Sequence, residues 1–99
     1  MKSINTMPYF TYRLHVKGSF SQKGFGFSCM QLAYKNDITG TLFYESASSV
    51  ILEITGNDED IHQVIEKCKQ AKCVTEIHIL NKTTTTKKQN DFIMLNQID

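Results

Sequence analysis

Val16-Lys17-Gly18-Ser19-Phe20-Ser21-Gln22-Lys23-Gly24-Phe25-Gly26 is the stretch on which the reading of this chain turns. Before it, Phe10, Tyr12, Leu14 and Val16 alternate with Thr11, Arg13, His15 and Lys17, the period of a half-buried strand. From Gly18 to Gly26 that period is lost, which predicts a loop. After it, Phe25, Cys29, Leu32 and Ala33 recur at helical spacing. This predicts a helix over about Phe25–Lys35, punctuated by Asn36-Asp37.

Further along, Thr39 to Glu45 and Val50 to Thr55 read as strands, and the small polar Ser46-Ala47-Ser48-Ser49 between them suits a hairpin. Gly56-Asn57-Asp58-Glu59-Asp60 carries capping side chains and negative charge, as a helix start should. Ile61, Val64, Ile65 and Cys68 follow at i, i+3, i+4 and i+7, predicting a helix over about Asp58–Lys69. Val74 to Leu80 is β-branched and strand-like, and Phe92 to Leu95 is a short last strand. Asn81 to Asp91, with Thr83–Thr86 and Lys87-Lys88, reads as a polar, mobile hairpin between them. Residues 1–8, ending at Pro8, read as a tail, and 9–99 as one domain. The order strand, helix, strand, strand, helix, strand defines an α+β class: a ferredoxin-like βαββαβ sandwich. Both helices are expected on one face of a mostly antiparallel sheet, with a short extra C-terminal strand.

The 99 residues and 11.3 kDa suit one domain with a real core. Eleven basic and ten acidic side chains leave a net charge of +1, so composition shows no footprint for nucleic acid or an anionic membrane. No apolar run approaches the roughly 18 residues of a membrane span, and Met1 to Thr6 lacks a signal-peptide apolar region. Cys29, Cys68 and Cys73 are odd in number and lack C-x-x-C spacing, which points to free thiols in a reducing cytoplasm. In that compartment the sequon-like Asn81-Lys82-Thr83 carries no sugar. His15, His62 and His78 fall on separate elements without metal spacing, so no metal or cofactor is expected.

Two family resemblances fall on the same stretch. Lys23-Gly24-Phe25-Gly26-Phe27 resembles the opening of the aromatic octapeptide of RNA-recognition motifs. That octapeptide belongs on a third strand, however, and here only one strand precedes it. Met30 also takes its last aromatic position, so an RNA-binding module ranks low.

The second resemblance, to the acylphosphatases, runs without a gap from Val16 to Gly56. That family opens V-x-G-x-V-Q-G-V-G-F-R, against Val16 to Gly26 here. Its helix alanine falls on Ala33, and the glycines that open and close its next strand pair fall on Gly40 and Gly56. The resemblance implies an anion-binding loop for phosphate or an acyl phosphate, formed by Ser19, Phe20, Ser21, Gln22, Lys23, Gly24, Phe25 and Gly26. It also implies an arginine that clamps the phosphate and an asparagine that positions the attacking water. Those positions are Gly26 and Tyr44, so both groups are absent.

The expectation is therefore an acylphosphatase-like domain without catalytic activity that binds a small anion weakly or a protein partner. The alternative is an active acylphosphatase using Lys23 and Tyr44 as substitutes, with Glu45 placing an unfavourable negative charge beside the substrate. Phe25, Phe27, Tyr34 and Phe43 are expected in the core, as is Cys68.

Overall fold

The structure, a computed structural model, describes residues 9–20, 24–86 and 90–95, so the expected tail at 1–8 and Lys87-Lys88 lie outside the described residues. The elements are β1 (Tyr9–Gly18), α1 (Phe25–Lys35), β2 (Thr39–Ser46), β3 (Ser49–Gly56), α2 (Asp58–Lys69), β4 (Val74–Thr85) and β5 (Phe92–Leu95). They form one sheet in the order β4-β1-β3-β2-β5, antiparallel throughout except for the β2–β5 pair.

Strand alternation decides which face is covered. Leu14 lies opposite Leu52, and Leu52 opposite Leu42, so one row of buried leucines crosses the centre of the sheet. The next row runs Val16, Val50, Tyr44, all buried on the same face. Both helices cover that face: α1 with Phe25, Gly26, Cys29 and Ala33, and α2 with Ile61, Val64, Ile65 and Cys68. Each buried aliphatic side chain there contributes about 1.5–3 kcal/mol of transfer free energy. Both helix spans agree with the expected ones. α1 closes at Asn36, whose N–H donates to Leu32 and Ala33 carbonyls, followed by Asp37 at φ 56°.

Three expectations are corrected. Thr83–Thr86 is not a hairpin between the last two strands. β4 continues to Thr85, with Thr83, Thr84 and Thr85 laddered against Thr11, Phe10 and Tyr9. β-branched threonines favour a pleated ladder once a partner strand reaches them, and β1 does so from Tyr9. β5 then pairs with β2 at the opposite edge of the sheet, so β4 and β5 are not neighbours. A bulge carries the extra residue Leu80, since Arg13 pairs with Asn81 and Leu14 with Ile79.

Of the four aromatics assigned to the core, only Phe25 is buried; Phe27, Tyr34 and Phe43 are exposed. Phe27 and Tyr34 are two helical turns apart on the outer side of α1. Phe43 lies between inward-facing Leu42 and Tyr44, and a strand places it on the other face. The third correction concerns α2. Asn57 is its N-cap by position, but its amide reaches Asp60 at 3.3 Å and its side chain makes no cap bond.

Candidate functional site

The junction from β1 to α1 is anchored before the helix begins. Gly18 N–H donates to the Ser48 carbonyl (3.1 Å), Ser19 N–H to Cys73 (2.8 Å) and Phe20 N–H to Ala47 (2.6 Å). The loop is thus tied to the β2–β3 turn and to the segment between α2 and β4. Phe20 is fully buried, its ring centroid 4.8 Å from that of Phe25. Gly24 is exposed at the N-cap with φ 126°, a conformation that disfavours any side chain. α1 then starts with no side-chain cap and no acidic residue in its first turn.

Tyr44 rises from β2 beneath that first turn. Its hydroxyl oxygen accepts the N–H of Gly26 at 2.9 Å, inside the buried interior. A Cβ at Gly26 would stand 2.7 Å from the Tyr44 hydroxyl and 2.8 Å from Met94 Sδ. Tyr44 and Met94 therefore fill the space from which a side chain at position 26 would start. Burial pushes the Tyr44 phenol upward, with the Gly26 hydrogen bond opposing it, so the group is neutral at physiological pH.

Among the eight loop candidates, the structure brings Ser19, Phe20, Gly24, Phe25 and Gly26 together around the start of α1; Ser21, Gln22 and Lys23 lie outside the described residues. The amides of Ser19, Phe20 and Gly26 are all donated to partners within the protein. The expected charge of Glu45 beside an anionic substrate is not realised. Glu45 accepts the Ser49 hydroxyl at 2.6 Å and lies 3.7 Å from His15 Nε2. These groups sit on the sheet face opposite Tyr44, because adjacent side chains on a strand point to opposite faces and Leu14, Val16 and Tyr44 take the inner one.

A second polar cluster was not anticipated. The Tyr12 hydroxyl donates to Asp58 Oδ1 at 2.6 Å, His62 Nε2 is 3.5 Å from Asp58 Oδ2, and Lys82 Nζ is 3.7 Å from Asp58 Oδ1. The Lys82 ammonium also lies 4.9 Å from the Phe10 ring centroid and 5.2 Å from that of Tyr12. Only the helical spacing of Asp58 and His62 was legible beforehand; the other two residues come from β1 and β4. Among the described residues, no three His, Cys, Asp or Glu side chains are grouped so as to hold a metal ion, and no helix is long and apolar enough to cross a membrane.

A βαββαβ sandwich with an uncapped helix rising from a glycine loop at one end of β1 places this chain among the ferredoxin-like α+β proteins. Within that class it belongs to the acylphosphatase family, whose model, described as acylphosphatase, matches residues 12–94. Solved structures agree in fold. The acylphosphatase from Coxiella burnetii superposes with a TM-score of 0.70 at 21% identity, over 88% of this chain and 93% of that one. The acylphosphatase from Bacillus subtilis gives 0.66 at 19%, over 87% and 96%. Full-length HypF in its phosphate- and nucleotide-bound form gives 0.69 at 20%, covering 89% of this chain, which spans only 12% of HypF. A BLUF protein, BlrP1, reaches 0.72 at 10% identity, so the fold is shared well beyond one activity. No curated protein matches in sequence.

Proposed function

We propose that this chain is an acylphosphatase-family domain whose phosphate site is closed by Tyr44, leaving hydrolysis of acyl phosphates at or near background. The reading rests on one observation: the Tyr44 hydroxyl holds the Gly26 N–H and occupies the volume where a side chain at Gly26 would begin. By the family resemblance these are the positions of the clamping arginine and the water-positioning asparagine. Phosphoryl transfer depends on positioning and on charge, and a clamping arginine in other phosphoryl-transfer enzymes is worth about 10³–10⁵ in rate. A neutral phenol supplies neither a positive charge nor an amide.

What remains for an anion is the start of α1, with its N-terminal dipole and no acidic side chain in the first turn. The loop Ser19–Gly26 is accordingly a weak site for phosphate or an acyl phosphate, in a cytoplasmic domain with free thiols. Loss of two charge-assisted hydrogen bonds, each about 1.5–3 kcal/mol, moves a micromolar site to the millimolar range.

The test is turnover of benzoyl phosphate by the purified protein, together with a phosphate titration followed at the amides of Ser19, Phe20 and Gly24 to Gly26. Background hydrolysis and a millimolar phosphate response are expected. Turnover within tenfold of a typical enzyme's ~10 s⁻¹ would overturn the reading.

A further inference from the structure

Cys29 on α1 and Cys68 on α2 face each other across the helix–helix contact, with their sulfur atoms 3.8 Å apart in the buried core. The two are 39 residues apart in sequence. Cys73, just beyond α2, packs against the same core but is only partly buried, so solvent reaches it. Cys29 and Cys68 thus meet one turn along α1 from Gly26, with Cys73 at the margin of the same core. We infer that Cys29 and Cys68 form a thiol–disulfide exchange site that closes into a disulfide when a low-molecular-weight disulfide reacts at Cys73.

The chemistry balances in three exchanges. The Cys73 thiolate attacks one sulfur of the small disulfide, forming a mixed disulfide and releasing one small thiolate. Cys68 attacks the Cys73 sulfur and expels the second small thiolate. Cys29 then attacks the Cys68 sulfur, forming Cys29–Cys68 and returning Cys73 as a thiolate. Two protein thiols lose two electrons and two protons; the small disulfide is reduced to two thiols. The 3.8 Å contact, in which either thiol can be the donor, holds the two sulfurs within reach for the last exchange.

The closed form would join α1 to α2 directly beside the Tyr44–Gly26 contact, so the redox state would be felt at the candidate site. It would also remove the freedom of a long loop from the unfolded chain, with an upward shift in Tm on the order of 10 °C.

The experiment treats the folded full chain with oxidised glutathione, quenches with N-ethylmaleimide, and reads intact mass and cysteine-linked peptides over time. A Cys29–Cys68 peptide with the mass of two hydrogens lost is expected, accompanied by the rise in Tm and a moved Gly26 amide signal. Cys73→Ser, conservative at a partly exposed position, should slow closure by at least about tenfold, and Cys29→Ser should halt the sequence before the final bond. A glutathione adduct on Cys73 with no Cys29–Cys68 link overturns the inference. So does closure of Cys73→Ser at the parent rate, or a link that forms only in denaturant.

Discussion

The backbone N–H of Gly26 donates to the hydroxyl of Tyr44 across 2.9 Å, and the missing side chain of one residue is the room taken by the other. In the family resemblance both positions carry phosphate chemistry; here they satisfy one another. Helix propensity gives no reason for a glycine at this position. Its presence is accounted for by Tyr44 rather than by the helix.

That contact predicts non-additive energetics. Gly26→Ala should destabilise by about 1–3 kcal/mol, because the added methyl meets the Tyr44 hydroxyl and the Met94 sulfur. Tyr44→Phe should cost about 1–3 kcal/mol by leaving a buried N–H unpaired. In the double variant the clash with the hydroxyl is gone. Urea unfolding should therefore show a total cost below the sum by about 0.5 kcal/mol or more. Strict additivity would mean that the two residues do not share the space.

Reopening the site requires both changes together. Gly26→Arg alone should destabilise strongly, since Tyr44 and Met94 block the start of the side chain. With Tyr44→Asn the phenol is gone and only the flexible Met94 thioether must give way, and the guanidinium should tighten phosphate binding by at least about tenfold, at ~1.4 kcal/mol per tenfold. Calorimetric titration of phosphate checks this. A folded double variant with unchanged affinity would show that the loop differs from the family in shape as well as in side chains.

Gly40 is the most sensitive glycine in the sheet. It adopts φ 150°, and a Cβ there would stand 1.9 Å from the Glu53 carbonyl oxygen, a backbone atom that cannot turn aside. Gly40→Ala should cost upwards of about 2 kcal/mol, a large share of the ~5–15 kcal/mol that a domain of this kind has. The midpoint of urea unfolding measures it.

Acid should release Asp58. Its carboxyl lies below the ordinary 3.8, first because the Tyr12 hydroxyl donates to it and further because Lys82 and His62 are near, while partial desolvation opposes the shift. A folded-state value below the unfolded one means that the stabilisation is fully present above the ordinary value and is lost as pH falls through the lowered one. Tyr12→Phe should move the Asp58 carboxyl signal up toward the ordinary value in an NMR titration, and that loss of stability to higher pH. An unmoved titration would show that the hydrogen bond is not what holds the carboxyl ionised.

Much of this protein was determined by its sequence alone. The spans of α1 and α2 followed from Phe25, Cys29 and Ala33 and from Ile61, Val64, Ile65 and Cys68, because helical periodicity is a local property that each segment carries within itself. The β2–β3 hairpin followed from Ser46-Ala47-Ser48-Ser49 for the same reason, and the family followed from glycines at fixed spacing.

Tertiary structure decided what depends on partners distant in the chain. A run of threonines is neutral between loop and strand until β1 lies alongside it, so the length of β4 was not legible. Neither was the placement of β5 at the far edge, where Met94 of β5 pairs with Leu42 of β2. Phe43 and Glu45 took the outer face because side chains alternate along β2 and the helices cover the face that carries Leu42 and Tyr44. Tyr44 and Gly26, 18 residues apart, and Cys29 and Cys68, 39 apart, were each visible as single letters. That each pair would touch follows only from packing two helices onto one face of a sheet, where close contact is set by geometry that no single segment contains.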